Sequence, residues 1–172
     1  MEQSSDLTNI ISDLLVAARA DIRALEVASI PVNLRAQTTQ VLESFERDQV
    51  AEIEVVGRSV QAVGDPDRIR QVVRNLVSNA IKYGGDAIRL EVLNGATNAK
   101  VLVCDNGAPI PEDDRERIFQ PYERAHDAHG LADSLGLGLA ISRQLAQLMG
   151  GDLTYRHYNG EGIFEFALPA GP

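Results

Sequence analysis

Asn75 and Asn79 stand four residues apart in Arg74-Asn75-Leu76-Val77-Ser78-Asn79-Ala80-Ile81-Lys82, a spacing that puts both carboxamides on one face of a helix. Lys82 falls near the same face. An amide oxygen is a hard, neutral ligand that Mg²⁺ accepts, and an ammonium is a point charge suited to phosphate. Polar groups bordering an apolar stripe are costly unless something polar satisfies them. A Mg-nucleotide lying across this helix would do so. So would a neighbouring loop capped by one asparagine, a water on the other and solvent around Lys82.

Three later stretches carry complementary chemistry. Asp105-Asn106-Gly107 follows the apolar run Val101 to Cys104. A carboxylate at a strand end, beside a glycine that lets backbone come close, can accept from an exocyclic amine such as adenine's; an ordinary strand-to-turn signal has the same composition. Arg117-Ile118-Phe119-Gln120-Pro121-Tyr122-Glu123-Arg124 sets two arginines and two aromatics at the start of a long polar stretch. Arginine can brace a terminal phosphate, and Phe119 can anchor the loop root to the core; a solvated charged loop is the plainer alternative. Gly136-Leu137-Gly138-Leu139 opens a helix, where glycines let phosphate oxygens reach free backbone N–H groups in the positive end of the dipole. Alone, this glycine pair is weak evidence.

The elements that must position these residues are legible from periodicity. Asp65 caps, Pro66 starts and Gly84 stops a helix whose buried stripe is Ile69, Val72, Val73, Leu76, Val77, Ala80 and Ile81. An N-terminal arm carries Leu7, Ile10, Ile11, Leu14, Leu15 and Ala18 at helical spacing, and Ala28 to Val32 breaks helicity between arm and domain, giving residues 1–30 and 31–172. A second helix is expected from Asn33 or Leu34 to Phe45. Glu52 to Val56 and Ser59 to Val63 alternate as strands with Gly57 and Arg58 at the turn, and Ile88 to Val92 and Lys100 to Cys104 form a hairpin through Asn94-Gly95. Leu137, Ile141, Leu145 and Leu148 stripe a third helix ended by Gly150-Gly151. Leu153 to His157 and Ile163 to Leu168 close the chain. About three helices against roughly five or six strands imply a two-layer α/β sandwich with a mixed, mostly antiparallel sheet.

Composition narrows the function. The 172 residues carry a formal charge of −9, which argues against a general nucleic-acid binder yet leaves room for a local anion site. The single cysteine, Cys104, excludes an internal disulfide, fits a reducing compartment and lies in an apolar strand as a buried thiol. No segment resembles a signal peptide or a membrane span, so a cytoplasmic domain is expected, whether or not it comes from a membrane-anchored parent.

In this order and at these separations the four stretches resemble the nucleotide-binding domain of two-component sensor histidine kinases, part of the wider group of gyrase, heat-shock chaperone, mismatch-repair and anti-sigma-factor ATPases and kinases. Asn75 to Lys82 is similar to the family's asparagine box, Asp105-Asn106-Gly107 to its first glycine box, Arg117 to Arg124 to its phenylalanine box and Gly136 to Leu139 to its second glycine box. Coverage runs from about Val50 to the end, and the arm resembles the end of the dimerisation helix. The resemblance implies the Bergerat-type sandwich and ATP with Mg²⁺ as ligands. It implies that Asn79 coordinates the metal and that Asn75 supports the phosphates. Lys82 and Tyr83 would touch phosphate or ribose, Asp105 with Gly107 would read adenine, and Gly136, Leu137, Gly138 and Leu139 would cradle phosphate. Arg124 would approach the γ-phosphate, within a lid from Gln120 to Ser134. The implied partners are an upstream phosphoacceptor helical domain, a response regulator and a second copy of the chain through the N-terminal helix.

Departures from the family pattern sharpen the expectation. The hydrolysing ATPases and the serine kinases carry glutamate where this chain has Asn75, and an amide cannot take a proton from a nucleophile, so transfer to a histidine on another domain is favoured. His126, His129 and His157 are the only histidines, and none has the acceptor motif; self-phosphorylation is not expected. Proline at 109 and Ser134-Leu135 replace glycines of the two boxes, changes that bear on lid mobility. The alternatives are a degenerate nucleotide-sensing or partner-docking module, and a serine kinase of the anti-sigma-factor type.

Overall fold

The eighteen residues Pro66–Tyr83 form the helix that the sequence punctuates. In the computed structural model, which describes residues 25–50, 52–121 and 137–172, Asp65 accepts hydrogen bonds from the N–H groups of Asp67 and Arg68 at 2.9 and 3.2 Å. Gly84 closes the other end by donating to the Ala80 carbonyl at 2.7 Å. Between these caps Ile69, Val72, Val73, Leu76 and Val77 are completely buried, while Ile81 is half-buried. Each such aliphatic side chain contributes about 1.5–3 kcal/mol of burial, so the stripe rather than local propensity holds the helix in place.

In chain order the elements are β1 (Ile30–Asn33), α1 (Leu34–Leu42), α2 (Arg47–Val50), β2 (Glu54–Gly57), β3 (Gln61–Gly64), α3 (Pro66–Tyr83), β4 (Ile88–Asn94), β5 (Asn98–Asp105), α4 (Gly138–Leu148), β6 (Asp152–Tyr158) and β7 (Glu161–Pro169), with single 3₁₀ turns at Glu112–Asp114 and Arg117–Phe119. The main sheet runs β2-β4-β5-β7-β6. Its β2–β4 pair is parallel and the other three pairs are antiparallel. Helices α1, α3 and α4 contribute Leu34, Leu76 and Leu145 to one core with Leu90, Val101, Val103 and Phe166 of the sheet. This is the expected two-layer sandwich.

Three local expectations change. Glu54–Gly57 and Gln61–Gly64 do not form a hairpin: the first pairs with β4, and the second pairs with β1 in a separate two-stranded sheet. Ile30 to Asn33, expected as a helix-breaking boundary, is that partner strand. Proline at 31 suits a short edge strand, where a missing N–H costs no ladder bond. In α4 the buried positions are Ala140, Ser142, Leu145 and Ala146, whereas Leu137, Ile141 and Leu148 are half-buried. Small residues take the inner face because α4 packs closely on α3. Of the N-terminal arm, residues 1–24 lie outside the described residues; residues 25–29 are not helical, Leu25 and Val27 pack on the domain core, and Ile30 opens β1, so the domain begins before residue 31.

The sheet face away from the helices is sealed differently. Leu102, Cys104 and Ile163 form a small buried cluster there. Charged pairs surround it: Arg89 with Glu91 and Glu161, and Lys100 with Glu165. Cys104 is the buried thiol expected, and burial pushes its pKa up to about 11. Asn159 and Gly160, both with positive φ, turn β6 into β7 as a two-residue hairpin loop of the primed type.

Candidate functional site

Two ends of secondary structure meet beside Asn75. Helix α4 starts at Gly138 with no side-chain cap from Leu137, unlike the Asp65-capped start of α3. Its first-turn N–H groups lie at the positive end of the helix dipole, a place suited to an anion. The Asn75 amide nitrogen donates to the Ser142 hydroxyl at 3.0 Å. A Cβ at Gly138 would lie 2.4 Å from Asn75 Oδ1. Only glycine at 138 lets the first turn of α4 come this close to the asparagine.

One turn along α3, Asn79 is half-buried, and among the described residues no protein group hydrogen-bonds its carboxamide. Lys82 and Tyr83 follow as exposed residues, Tyr83 at 55%. Among the described residues no group of three or more histidine, cysteine or acidic side chains could hold a metal. A single uncommitted amide oxygen nonetheless fits Mg²⁺, which keeps several waters and takes its remaining ligands from phosphates.

The exit of α3 is stitched to the end of β5. A Cβ on Gly107 would lie 2.4 Å from the Tyr83 carbonyl oxygen, so glycine there permits the contact. Asn106 serves the scaffold: its side-chain oxygen accepts from the N–H groups of Asp86 and Ala87 at 3.1 and 3.0 Å, and its amide donates to Asp86 at 2.8 Å. These bonds fix the strand end against the helix end and set Asp105 next to Gly84, where an added Cβ would sit 2.7 Å from Asp105 Cβ. Asp105 is 9% exposed, and its Oδ1 accepts from the Gly107 N–H at 3.0 Å. Burial raises its pKa, opposed by that N–H and by the charge of His157.

Phe119 secures the segment that leads toward residue 122. Its ring stands edge-on to Phe164 at 6.4 Å, and the Arg143 guanidinium lies over it at 4.8 Å. Arg143 is itself held by Asp152 and Glu116 at 3.0 and 2.8 Å, so the turn that carries Phe119 is clamped to α4. Further back, the Ile110 N–H donates to the Tyr155 hydroxyl at 3.3 Å, which ties down the residue after Pro109.

Thus α3 is met at two places, by Leu137, Gly138 and Leu139 at the start of α4 beside Asn75 and by Asp105 and Gly107 at the end of β5 beside Tyr83 and Gly84, with Asn79 and Lys82 on the helix between them, whereas Arg124, Gly136, His126, His129 and Ser134-Leu135 lie outside the described residues. Reading the sequence missed Ser142 and gave His157 no place at the site. Ser142 had a signal, a small hydroxyl one turn after Gly138 inside an apolar helix. His157 had none, because only strand register brings it near Asp105.

The comparisons with known proteins bear on the family and the fold. A family model described as "Histidine kinase-, DNA gyrase B-, and HSP90-like ATPase" matches residues 64–172. The adaptive-response sensory kinase SasA of Crocosphaera subtropica is 33% identical over 95% of this chain and 45% of its own length. Among solved structures, the mycobacterial sensor histidine kinase MprB superposes with a TM-score of 0.71 at 26% identity, covering 83% of this chain and 99% of that one. Full-length ShkA in complex with AMPPNP gives 0.70 at 28% identity, over 99% of this chain and 38% of its own. The chain spans less than half the length of the curated relatives it matches.

Proposed function

Since this chain belongs to the Histidine kinase-, DNA gyrase B-, and HSP90-like ATPase family, as the catalytic ATP-binding domain of a sensor histidine kinase, we propose that its cleft takes Mg-ATP and passes the γ-phosphate to a histidine on a separate helical phosphoacceptor domain. The observation that supports this reading is the sequence of features along α3: the start of α4 beside Asn75, an Asn79 amide with no partner among the described residues, and the buried Asp105 carboxylate beside Gly84. Asp105 accepts from the adenine amine. The α4 N–H groups and Lys82 neutralise phosphate charge, Asn79 supplies one metal ligand, and Asn75 braces the phosphate region. Bound Mg²⁺ would supply neutralisation of the phosphate charge.

In the transfer the imidazole nitrogen forms a bond to the γ-phosphorus while the bond to the bridging β-oxygen breaks, and ADP leaves with that electron pair. Imidazole has its own lone pair, so the step needs no general base at position 75; water or a serine hydroxyl would need one. Arg124 approaches the γ-phosphate from the loop. The sequence before residue 25 resembles the end of the dimerisation helix, through which two copies would pair. A response regulator receives the phosphate from the acceptor histidine.

Calorimetric titration with ATP, with and without Mg²⁺, tests the binding. Asn79→Ala is expected to abolish the gain in affinity from Mg²⁺; an unchanged gain refutes the metal assignment. Labelled ATP with a separately supplied histidine-bearing helical hairpin tests the transfer. Acid-labile label on the hairpin supports the proposal. Binding without transfer supports a docking module, and acid-stable label on a serine supports a serine kinase.

A further inference from the structure

Residues 106–111 run from the end of β5 to the 3₁₀ turn Glu112–Asp114 without entering any regular element. Irregular connections are ordinarily the loosest parts of a domain, yet this one is pinned along its length. Asn106 is bonded to Asp86 and Ala87, and the Gly107 N–H donates to Asp105 at 3.0 Å. Ile110 is held on both sides: its N–H donates to the Tyr155 hydroxyl and its carbonyl accepts from Arg115 Nε, each at 3.3 Å. Its side chain packs on the core. The Pro111 carbonyl then accepts from the Asp114 N–H at 2.9 Å.

Two prolines bracket Ile110. Proline fixes its own φ and confines the residue before it to extended backbone. Pro109 therefore restricts Ala108, and Pro111, at φ −52° and ψ 145°, restricts Ile110. Both prolines are exposed, so core packing does not account for them; what they remove is freedom, which glycine at 109 would restore in full. Tyr155 completes the hold from β6, the edge strand, with its ring tilted against Phe164 at 5.0 Å. A Cβ at Gly162 would lie 3.0 Å from the Tyr155 hydroxyl and 3.3 Å from its Cε2. Glycine on β7 thus gives the phenol room to lie across that strand and reach Ile110.

We propose that Ala108 to Pro111 is a preformed strut and that Tyr155 is its positioning residue. Together they hold the corner from Asp105 to Gly107 and the turn that carries Phe119 at a fixed separation before any nucleotide arrives. The inference rests on the Mg-ATP reading and deepens it. A segment that becomes ordered only on binding subtracts its ordering cost from the affinity, and one that is already ordered does not. Proline at 109 is the stiffening element, standing where the family's first glycine box has a flexible residue. Apparent affinity scales with the fraction of molecules in the competent conformation, so loosening the strut slows association and leaves dissociation unchanged.

Amide exchange of the isotopically labelled intact chain, followed by NMR with and without Mg-ATP, reads the strut directly. In the nucleotide-free protein the Ile110 N–H is expected to be protected on the order of a hundredfold, and Mg-ATP to change that by less than about threefold. Tyr155→Phe removes only the hydroxyl and is expected to speed Ile110 exchange about tenfold while Val103 in β5 keeps its rate. In stopped flow with a ribose-labelled fluorescent ATP analogue and Mg²⁺, that variant should associate about three- to tenfold more slowly and dissociate at the wild-type rate. Pro109→Gly should slow association about two- to fivefold without touching β6. A wild type whose Ile110 exchanges freely until Mg-ATP is added overturns the inference. So do variants that associate at the wild-type rate, and so does a rise in exchange spread over the whole core, which is the mark of a merely structural tyrosine. A wild type protected at Ile110 that binds no nucleotide overturns the Mg-ATP reading, and the positioning role with it, while the strut itself stands.

Discussion

The Asn75 carboxamide donates a 3.0 Å hydrogen bond to the Ser142 hydroxyl, and this one contact joins the helix that carries the amides to the helix whose first turn faces the cleft. Ser142 is 2% exposed, so its oxygen has no recourse to bulk water. Because the amide nitrogen is committed to Ser142, the amide oxygen faces the start of α4, where the space at Gly138 receives it. The orientation of Asn75 is thus set by a helix 67 residues away in sequence.

Ser142→Ala removes the acceptor and leaves the Asn75 N–H groups short of a partner. A loss of about 1 kcal/mol in unfolding free energy is expected, measured by urea denaturation. Mg-ATP affinity should fall a few-fold as the amide loses its fixed orientation, measured by calorimetry. Unchanged stability would mean that the hydrogen bond contributes nothing in solution.

Gly138→Ala drives a methyl group to 2.4 Å from Asn75 Oδ1, closer than any real contact. The helix start cannot back away without losing its packing on α3, so overpacking should cost about 1–3 kcal/mol. Combining it with Asn75→Ala removes the obstructing oxygen. The double variant should recover at least half of that loss in a thermodynamic cycle. Additive costs would show that the two residues do not press on each other.

Much of this site was legible because its parts announce themselves locally. Asp65, Pro66 and Gly84 bracket α3, and the 3.6-residue stripe between them fixes which way Asn75 and Asn79 project. Asp105 and Gly107 end a strand that reads as buried. What the sequence concealed is non-local. Ile30 to Asn33 becomes a strand only because Gln61–Gly64 offers an antiparallel partner, and no periodicity within four residues can announce that. Glu54–Gly57 looks like half of a hairpin, but α3 carries the chain across so that its true neighbour is the parallel β4. His157 joins Asp105 through two strand pairings that meet at Gly162, and register of that kind is set by the whole sheet.

Phe119→Ala removes a ring that is 7% exposed and touches both Phe164 and Arg143. Truncating a buried phenylalanine costs about 3–5 kcal/mol. Phe119→Leu keeps much of the volume but not the face that Arg143 covers, and should cost distinctly less. Chemical denaturation of the two variants separates the packing from the cation–π contact. A cost below about 1 kcal/mol for the alanine variant would show that the loop root is not anchored as described.

Two carboxylates push the acid stability of the fold in opposite directions, and single substitutions should separate them. Asp65 has its pKa lowered below 3.8, first by the Ala28 N–H that donates to it at 3.0 Å and further by its caps to Arg68 and Asp67, against some desolvation. The native state therefore binds fewer protons at Asp65 than the unfolded chain does. The stabilisation is present above 3.8 and is lost as pH falls through the lowered native value. Asp105 is the reverse case, raised above 3.8 chiefly by burial. There the native state binds more protons, so stability falls as pH rises from 3.8 through the raised native value. Asp65→Ala should cost about 1 kcal/mol at neutral pH as a lost helix cap and flatten the acid limb of the stability curve. Asp105→Asn keeps the oxygen that accepts from Gly107 but cannot ionise. It should make the nucleotide-free protein more stable at neutral pH while weakening ATP binding at least tenfold, since one face of the new amide presents N–H to the adenine amine. Urea denaturation from pH 3 to 8 reads both effects, and a neutral-pH loss of stability in Asp105→Asn would contradict the burial penalty assigned to that carboxylate.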